Sequence, residues 1–181
     1  MTTAANPWAS PKTLTTFLAK LAELLRMKNQ RYGDSILYPV RLFDSSGYRL
    51  VGLCVRMDDK VSRIFSETLG EDEDPYLDLL GYIVFYVALV QWVEPPASLT
   101  GDEAIDIGIN LLSKWYTEAE DRDIMPLHPK DMLRMIQQIR DEVRFDEDPP
   151  VRMIAVSLMH YLMQPTIRTG ATPKLMAGVK P

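Results

Sequence analysis

The sequence predicts an all-α fold, a helical bundle of about six helices. Apolar residues recur at three- and four-residue steps along most of the chain, which is the period of an amphipathic helix. Helix-start signals such as Ser10-Pro11, Asp74-Pro75 and Thr100-Gly101-Asp102-Glu103 precede these stretches. A strand within residues 36–43 would have no second strand nearby to pair with, so we expect no sheet.

The first half of the chain contains three of the predicted helices. The first begins at Ser10 and ends near Tyr32-Gly33, where glycine can adopt the left-handed conformation of a C-cap. The second covers about residues 48–68, and its expected core stripe is Leu50, Leu53 or Cys54, Met57, Val61 and Ile64, with Phe65 beside it. The third begins at Asp74-Pro75 and is apolar nearly all round. We expect it to be buried on several sides, inside a bundle or across an oligomer interface.

The second half of the chain contains the other three predicted helices. They begin near Thr100, Lys130 and Pro150, and a Pro-, Gly- and Thr-rich tail that we expect to be disordered follows them. Three units result: a helical core over residues 10–96, a C-terminal helical block over 97–163 that packs on this core within one domain, and a tail over 164–181.

The composition narrows the class of protein. Hydrophobic residues make up 46% and charged residues 25% of the chain, which is ordinary for a soluble globular protein. The net charge of −5 gives no global basic field, so we expect no direct nucleic-acid binding. The longest apolar run is shorter than the roughly 20 residues that span a bilayer, and no signal peptide is visible. These features predict a cytoplasmic protein without membrane contact.

Carboxylates are predicted to converge between the second and third helices. Asp59 and Glu67 share a face of the second helix, and Asp74 and Asp78 stand one turn apart on the third. Oxygen ligands from neighbouring helices are how a bundle holds Mg²⁺ or Mn²⁺, so these four residues are candidate metal ligands. An alternative needs no metal: acids in a first helical turn are favoured by the helix dipole, and Asp59 with Arg63 is an ordinary surface pair. Asp78 differs, because a carboxylate between two leucines needs a partner or a metal.

Basic, amide and aromatic groups stand near the ends of the first two helices. Lys28, Lys60 and Arg63 are suited to hold a phosphate, although ion pairs with the nearby acids are an equal alternative for Lys60 and Arg63. Asn29 and Tyr32 fit a C-terminal helical turn unaided, and the tyrosine also offers a ring and a hydroxyl to a base or sugar. Together these groups indicate a phosphate-bearing ligand.

Three short motifs follow one another within residues 14–93. They are Lys28-Asn29-x-x-Tyr32-Gly33-Asp34-Ser35, Arg56-x-x-Asp59-Lys60-x-x-Arg63 and Asp74-x-x-x-Asp78-Leu79-x-Gly81-Tyr82. In this order they resemble the phage-associated nucleotide-modification domains. Those domains are similar to the all-α nucleoside triphosphate pyrophosphohydrolases, the MazG-like and dimeric dUTPase-like enzymes.

The resemblance implies a homo-dimer or homo-tetramer, in the host cytoplasm if a phage encodes it. Such a protein would use Mg²⁺ or Mn²⁺ to cleave a (deoxy)nucleoside triphosphate to monophosphate and pyrophosphate. On this hypothesis the catalytic residues are Asp59, Lys60, Arg63 and Asp78, the metal ligands Asp59, Glu67, Asp74 and Asp78, and the substrate contacts Lys28, Asn29, Tyr32 and Asp34.

The chain departs from the MazG-like pattern in its carboxylates. Those enzymes carry Glu-x-x-Glu on the first metal-binding helix, where this chain has Asp59 and then Glu67. The departure favours an alternative, a non-catalytic nucleotide-binding member of the same fold. A further alternative is a helical interaction protein that binds no small ligand and uses its apolar third helix as the contact surface.

Overall fold

Six α-helices form a bundle in the computed structural model, which describes residues 9–33, 35–37, 49–67, 74–91, 98–140 and 149–164. The helices are α1 (Pro11–Tyr32), α2 (Arg49–Ser66), α3 (Pro75–Leu89), α4 (Gly101–Asp121), α5 (Pro129–Arg140) and α6 (Pro149–Met163). No strand occurs in these ranges, so the all-α prediction is confirmed. Most of the residues expected to be a disordered tail, 165–181, lie outside the described ranges.

Local sequence signals set the ends of the helices. The Ser10 side chain caps α1, and Gly33 ends this helix with a φ of 58°. Asp74 caps α3 by accepting hydrogen bonds from backbone N–H groups of the first turn. Thr100 and Glu103 form a complete capping box at the start of α4. Each cap satisfies backbone groups that have no partner within the helix, and each was predicted.

The central element of the bundle is α3, which packs against α2, α4 and α6. Most of its residues are buried, and Leu80 and Val84 are fully enclosed. This confirms the prediction that the helix is covered on several sides, and it is covered by other helices of the same chain. The C-terminal helices complete the bundle, because α4 and α6 also contact α1.

The contact between α3 and α4 depends on a glycine. A Cβ atom built on Gly108 would lie 2.2 Å from the backbone oxygen of Val84 and 2.9 Å from its carbonyl carbon. Real Cβ atoms do not approach other heavy atoms so closely. The two helices therefore approach one another so closely that only glycine, whose side chain is a hydrogen atom, fits at position 108.

The core stripe predicted for α2 is correct at Leu53 and Ile64, which are buried, and its other members from Met57 to Phe65 pack against the core. It is wrong at Leu50, and it omits Lys60. Leu50 lies in the first turn of the helix and is 37% exposed. Lys60 is buried, on the face that Leu53 and Ile64 share. A hydrophobicity pattern does not predict burial at this position, because lysine is classed as polar. It cannot show that an ion pair in the folded protein allows the lysine to be buried.

None of the described helices is both long enough and apolar enough to cross a lipid bilayer. The sequence led to the same expectation for a membrane-spanning segment.

His160, in the last turn of α6, predicts a pH-dependent part of the stability. Burial lowers the pKa of this side chain below its usual value of 6.5, because desolvation disfavours the charged form. The unfolded chain therefore takes up this proton at a higher pH than the folded protein does. The stabilising contribution is complete above about pH 6.5 and is lost as the pH falls below it toward the folded-state pKa.

We expect the free energy of unfolding to fall more steeply in the wild type than in His160→Gln between about pH 7.5 and pH 5.5. Urea denaturation followed by circular dichroism at several pH values measures both slopes. Acids elsewhere in the chain titrate in both proteins, so the difference between the two slopes isolates His160. Equal slopes would contradict the assignment.

Candidate functional site

A cavity of about 420 Å³ lies at α1, α2 and α3 and is lined by residues from all three helices. Its volume falls within the roughly 300–1,000 Å³ that small-molecule sites occupy. Three leucines, Ile36 and Phe85 supply most of the apolar part of the lining. The polar part consists of Lys28, Tyr32, Ser35, Arg56, Lys60, Asp78 and Tyr82.

Asp78 is held in this cavity by two ammonium groups. Lys28 Nζ lies 2.9 Å from Oδ1 of the aspartate, and Lys60 Nζ lies 3.3 Å from Oδ2. The Lys60 side chain is only 8% exposed and that of Asp78 17%. Each carboxylate oxygen therefore has a cationic partner, which is what a largely buried charge requires. The sequence left open whether Asp78 has a partner or a metal, and the structure gives it two partners.

Helix packing brings these three charges together. Lys28 stands three residues after Leu25 on α1, and Asp78 stands three residues before Gly81 on α3. A Cβ atom on Gly81 would lie 3.0 Å from Leu25 Cδ2, so the side chain of Leu25 reaches the surface of α3 there. Residues three apart lie on one helical face, so this contact places the lysine beside the aspartate. Lys60 reaches the same carboxylate from α2, which packs along α3.

Arg56 adds a third cation to the cavity. It stands one turn before Lys60 on α2, and its guanidinium forms no ion pair with any other residue in the described ranges. Three cations thus face one carboxylate, which leaves the described lining with a net charge of +2 at neutral pH. A partly enclosed positive site of this kind attracts anions.

The residues predicted to act in the site divide into two groups. Lys28, Tyr32, Lys60 and Asp78 line the cavity together. Asp59 and Arg63 on α2 form the second group, and they pair with each other at the surface. Asp59 Oδ2 lies 3.1 Å from Arg63 Nε, and it also lies 3.8 Å from Lys60 Nζ.

One predicted substrate contact does not join the lining, and another is not among the described residues. Asn29 is buried on α1 and does not line the cavity. Asp34 lies outside the described residues. Among the predicted substrate contacts in the described residues, Lys28 and Tyr32 are the two that line the cavity.

The four carboxylates predicted to bind a metal ion are not brought together. Glu67 contacts Lys130 of α5, and the hydrogen bond from this lysine lowers the pKa of the glutamate. Asp74 is engaged as the cap of α3. In the part of the chain that the structure describes, no three His, Cys, Asp or Glu side chains form a group that could hold a metal ion. Binding of Mg²⁺ or Mn²⁺ stays a prediction, and the described residues provide no group of side chains that would coordinate the ion.

No family model matches the chain, and no curated protein or solved structure matches it either. The resemblance to the MazG-like enzymes therefore depends on the three sequence motifs alone.

Sequence reasoning assigned no role to Arg56, Ser35 and Tyr82, all of which line the cavity. Helical spacing was a usable signal for two of them. Arg56 stands four residues before Lys60, and Tyr82 stands four residues after Asp78. Residues at this spacing share a helical face, so each belongs beside the predicted residue.

Proposed function

We propose that the cavity binds a phosphate-bearing nucleotide. The observation that carries this proposal is the contrast of charge: the chain has a net charge of −5, whereas the described lining of the cavity has +2. Lys28, Arg56 and Lys60 supply ammonium and guanidinium donors, which form charge-assisted hydrogen bonds with phosphate oxygens. Such bonds are about twice as strong as those between neutral groups.

Aromatic side chains favour a nucleotide over an inorganic anion. Tyr32 and Tyr82 line the same cavity as the three cations. Aromatic rings provide stacking surfaces for a base, and tyrosine adds a hydroxyl for hydrogen bonding to a base or sugar. Cations and rings in one cavity match the two chemically different parts of a nucleotide. A nucleotide ligand is also consistent with the predicted cytoplasmic location.

A panel of nucleoside mono-, di- and triphosphates, with EDTA or with Mg²⁺ or Mn²⁺, tests this proposal by thermal shift. A ligand that binds only the folded protein stabilises it, by about 2.7 kcal/mol at one hundred times its Kd. At least one nucleotide is expected to raise the Tm. Lys28→Met, which removes a half-exposed cation from the cavity, is expected to weaken binding by about tenfold or more.

Lys114→Met is the matched control. This lysine lies on α4, does not line the cavity, and its side chain is 68% exposed. The variant removes the same charge from the protein and is expected to retain wild-type affinity. Binding that falls equally in both variants would indicate general charge attraction, and a wild type that responds to no nucleotide would refute the proposal.

Hydrolysis of a nucleoside triphosphate is a second candidate. It is favoured by the position of Asp78, a carboxylate predicted to be catalytic, beside Lys28 and Lys60 in the cavity. Pyrophosphate release that requires Mg²⁺ or Mn²⁺ and is lost in Asp78→Asn would support a pyrophosphohydrolase. Nucleotide binding without any release would support the non-catalytic alternative.

A further inference from the structure

We infer that a nucleotide lies lengthwise in the cavity, with its phosphate groups at Arg56 and Tyr82 and its base at Tyr32. The inference rests on the proposed nucleotide site and adds the orientation of the ligand within it. Two observations carry it. The directions of the helices place these residues at opposite ends of the cavity, and the ion pairs leave Arg56 as the lining cation without a partner among the described residues.

The helices α2 and α3 run in opposite directions. Glu67, directly after the last residue of α2, pairs with Lys130 in the first turn of α5. Tyr76, in the first turn of α3, contacts the ring of His128 edge to face, and this histidine stands two residues before that lysine. The end of α2 and the beginning of α3 therefore lie at the same end of the bundle.

Arg56 and Tyr82 consequently share one end of the cavity. Lys60 of α2 and Asp78 of α3 meet as an ion pair. Arg56 stands one turn before that lysine, and Tyr82 stands one turn after that aspartate. In antiparallel helices these two steps lead in the same direction, and both side chains line the cavity. The guanidinium and the phenol hydroxyl are therefore placed to act on one group of the ligand.

Tyr32 belongs to the other end of the cavity. On α1, Lys28 pairs with Asp78 of α3. Leu25, three residues earlier on α1, reaches Gly81, three residues later on α3, so these two helices are also antiparallel. Tyr32 stands one turn after Lys28 and thus lies toward the beginning of α3. It is separated from the guanidinium end by about two helical turns, which is about 11 Å along the helix axes.

The charges decide which end receives the phosphate groups. Lys28 and Lys60 are bonded to Asp78 in the middle of the cavity, and Lys60 has further partners. Arg56 forms no ion pair within the described ranges, and its planar fork of donors can bind phosphate oxygens in pairs. The Tyr82 hydroxyl, which has no hydrogen-bond partner in the same ranges, can donate a further bond. The phosphate groups therefore lie at this end.

The opposite end suits a base. Tyr32, Ser35 and Ile36 line it, and none of the three carries a charge. The Tyr32 side chain is 61% exposed, so its ring is accessible for stacking on a base. Ser35 follows closely, since its backbone N–H donates to the Tyr32 carbonyl oxygen at 3.4 Å. The two hydroxyl groups can form hydrogen bonds with the polar edge of a base.

Two kinds of nucleotide fragment test this orientation by NMR on the full chain labelled with ¹⁵N and ¹³C. Inorganic pyrophosphate has no base, whereas adenosine, guanosine, cytidine, uridine and thymidine have no phosphate. The Nε–H signal of Arg56 and the ring signals of Tyr32 are assigned by their loss in Arg56→Gln and Tyr32→Leu. We expect pyrophosphate to shift the arginine signal without the tyrosine signals, and at least one nucleoside to do the reverse.

Substitutions tested with whole nucleotides do not depend on weak binding of fragments. The probes are ATP, GTP, CTP, UTP and dTTP in EDTA, with the Kd measured by isothermal titration calorimetry. Arg56→Gln is expected to raise the Kd of the nucleotides that bind by about tenfold or more. Arg56→Lys keeps the charge but loses the planar fork, so it is expected to restore the affinity only in part. Arg134→Gln is the matched control, because this exposed arginine of α5 does not line the cavity.

Three results would overturn the inference while the proposed nucleotide site stands. One is a bound nucleotide that leaves the Arg56 signal unchanged. Another is pyrophosphate that shifts the Tyr32 signals but not the Arg56 signal. The third is an equal Kd in Arg56→Gln and Arg134→Gln. If neither fragment shifts a signal, the Kd values of the Arg56 variants decide. A wild type that binds none of the nucleotides refutes the proposed function and this inference together.

Discussion

Gly108→Ala is expected to destabilise the protein by about 3 kcal/mol, which is at the upper end of the range for overpacking a core. The added methyl group would lie 2.2 Å from the backbone oxygen of Val84 and 2.7 Å from Val84 Cγ1. A flexible side chain could rotate away, but a backbone carbonyl within α3 cannot move without displacing the helix. Since α3 carries Asp78 and contacts three other helices, the strain extends from the core to the cavity.

Gly52→Ala is the matched control for this substitution. Gly52 is an exposed glycine of α2, and an added Cβ there would meet nothing within 4 Å. Alanine is favoured over glycine inside a helix by about 1 kcal/mol, so this variant is expected to be more stable than the wild type. Urea denaturation followed by circular dichroism measures both variants. A loss of less than about 1 kcal/mol in Gly108→Ala would contradict the close approach of α3 and α4.

The ends of the helices could be predicted from the sequence because the responsible interactions are local. Ser10, Gly33 and Asp74 each act on backbone groups within a few residues of themselves. The chemistry of a cap depends on residue type and on a short spacing, and both are visible in a sequence. The all-round apolar character of α3 is visible for the same reason, and its central position follows from it.

The composition of the cavity could be predicted only in part. Lys28, Lys60 and Asp78 were identified as charged groups in unusual places, but the sequence does not show which of them meet. The metal prediction grouped Glu67 with Asp78, whereas in the structure Glu67 contacts Lys130, 63 residues away along the chain. Helical periodicity identifies the residues that share a face. It does not identify the residue of another helix that this face meets, because tertiary packing decides that.

Asp78→Asn is expected to destabilise the protein by about 2 kcal/mol. Lys60 is held in a buried position on α2, and its charge is compensated there in part by this carboxylate. An asparagine keeps the shape of the side chain but removes its negative charge. Asp106→Asn serves as the control. That carboxylate is 62% exposed where it pairs with Arg26, and its loss is expected to change stability by less than about 1 kcal/mol.

A double-mutant cycle separates the ion pair from other effects of the asparagine. Lys60→Met removes the buried ammonium group and keeps an unbranched side chain in its place. In the double variant Lys60→Met/Asp78→Asn, no uncompensated lysine charge is left on α2 at this position, and Lys28 is half exposed and can be hydrated. The double variant is therefore expected to be about 1–2 kcal/mol more stable than the sum of the two single effects predicts. Strictly additive losses in urea denaturation would show that Asp78 does not compensate the charge of Lys60, and the account of the cavity as a set of coupled charges would then fail.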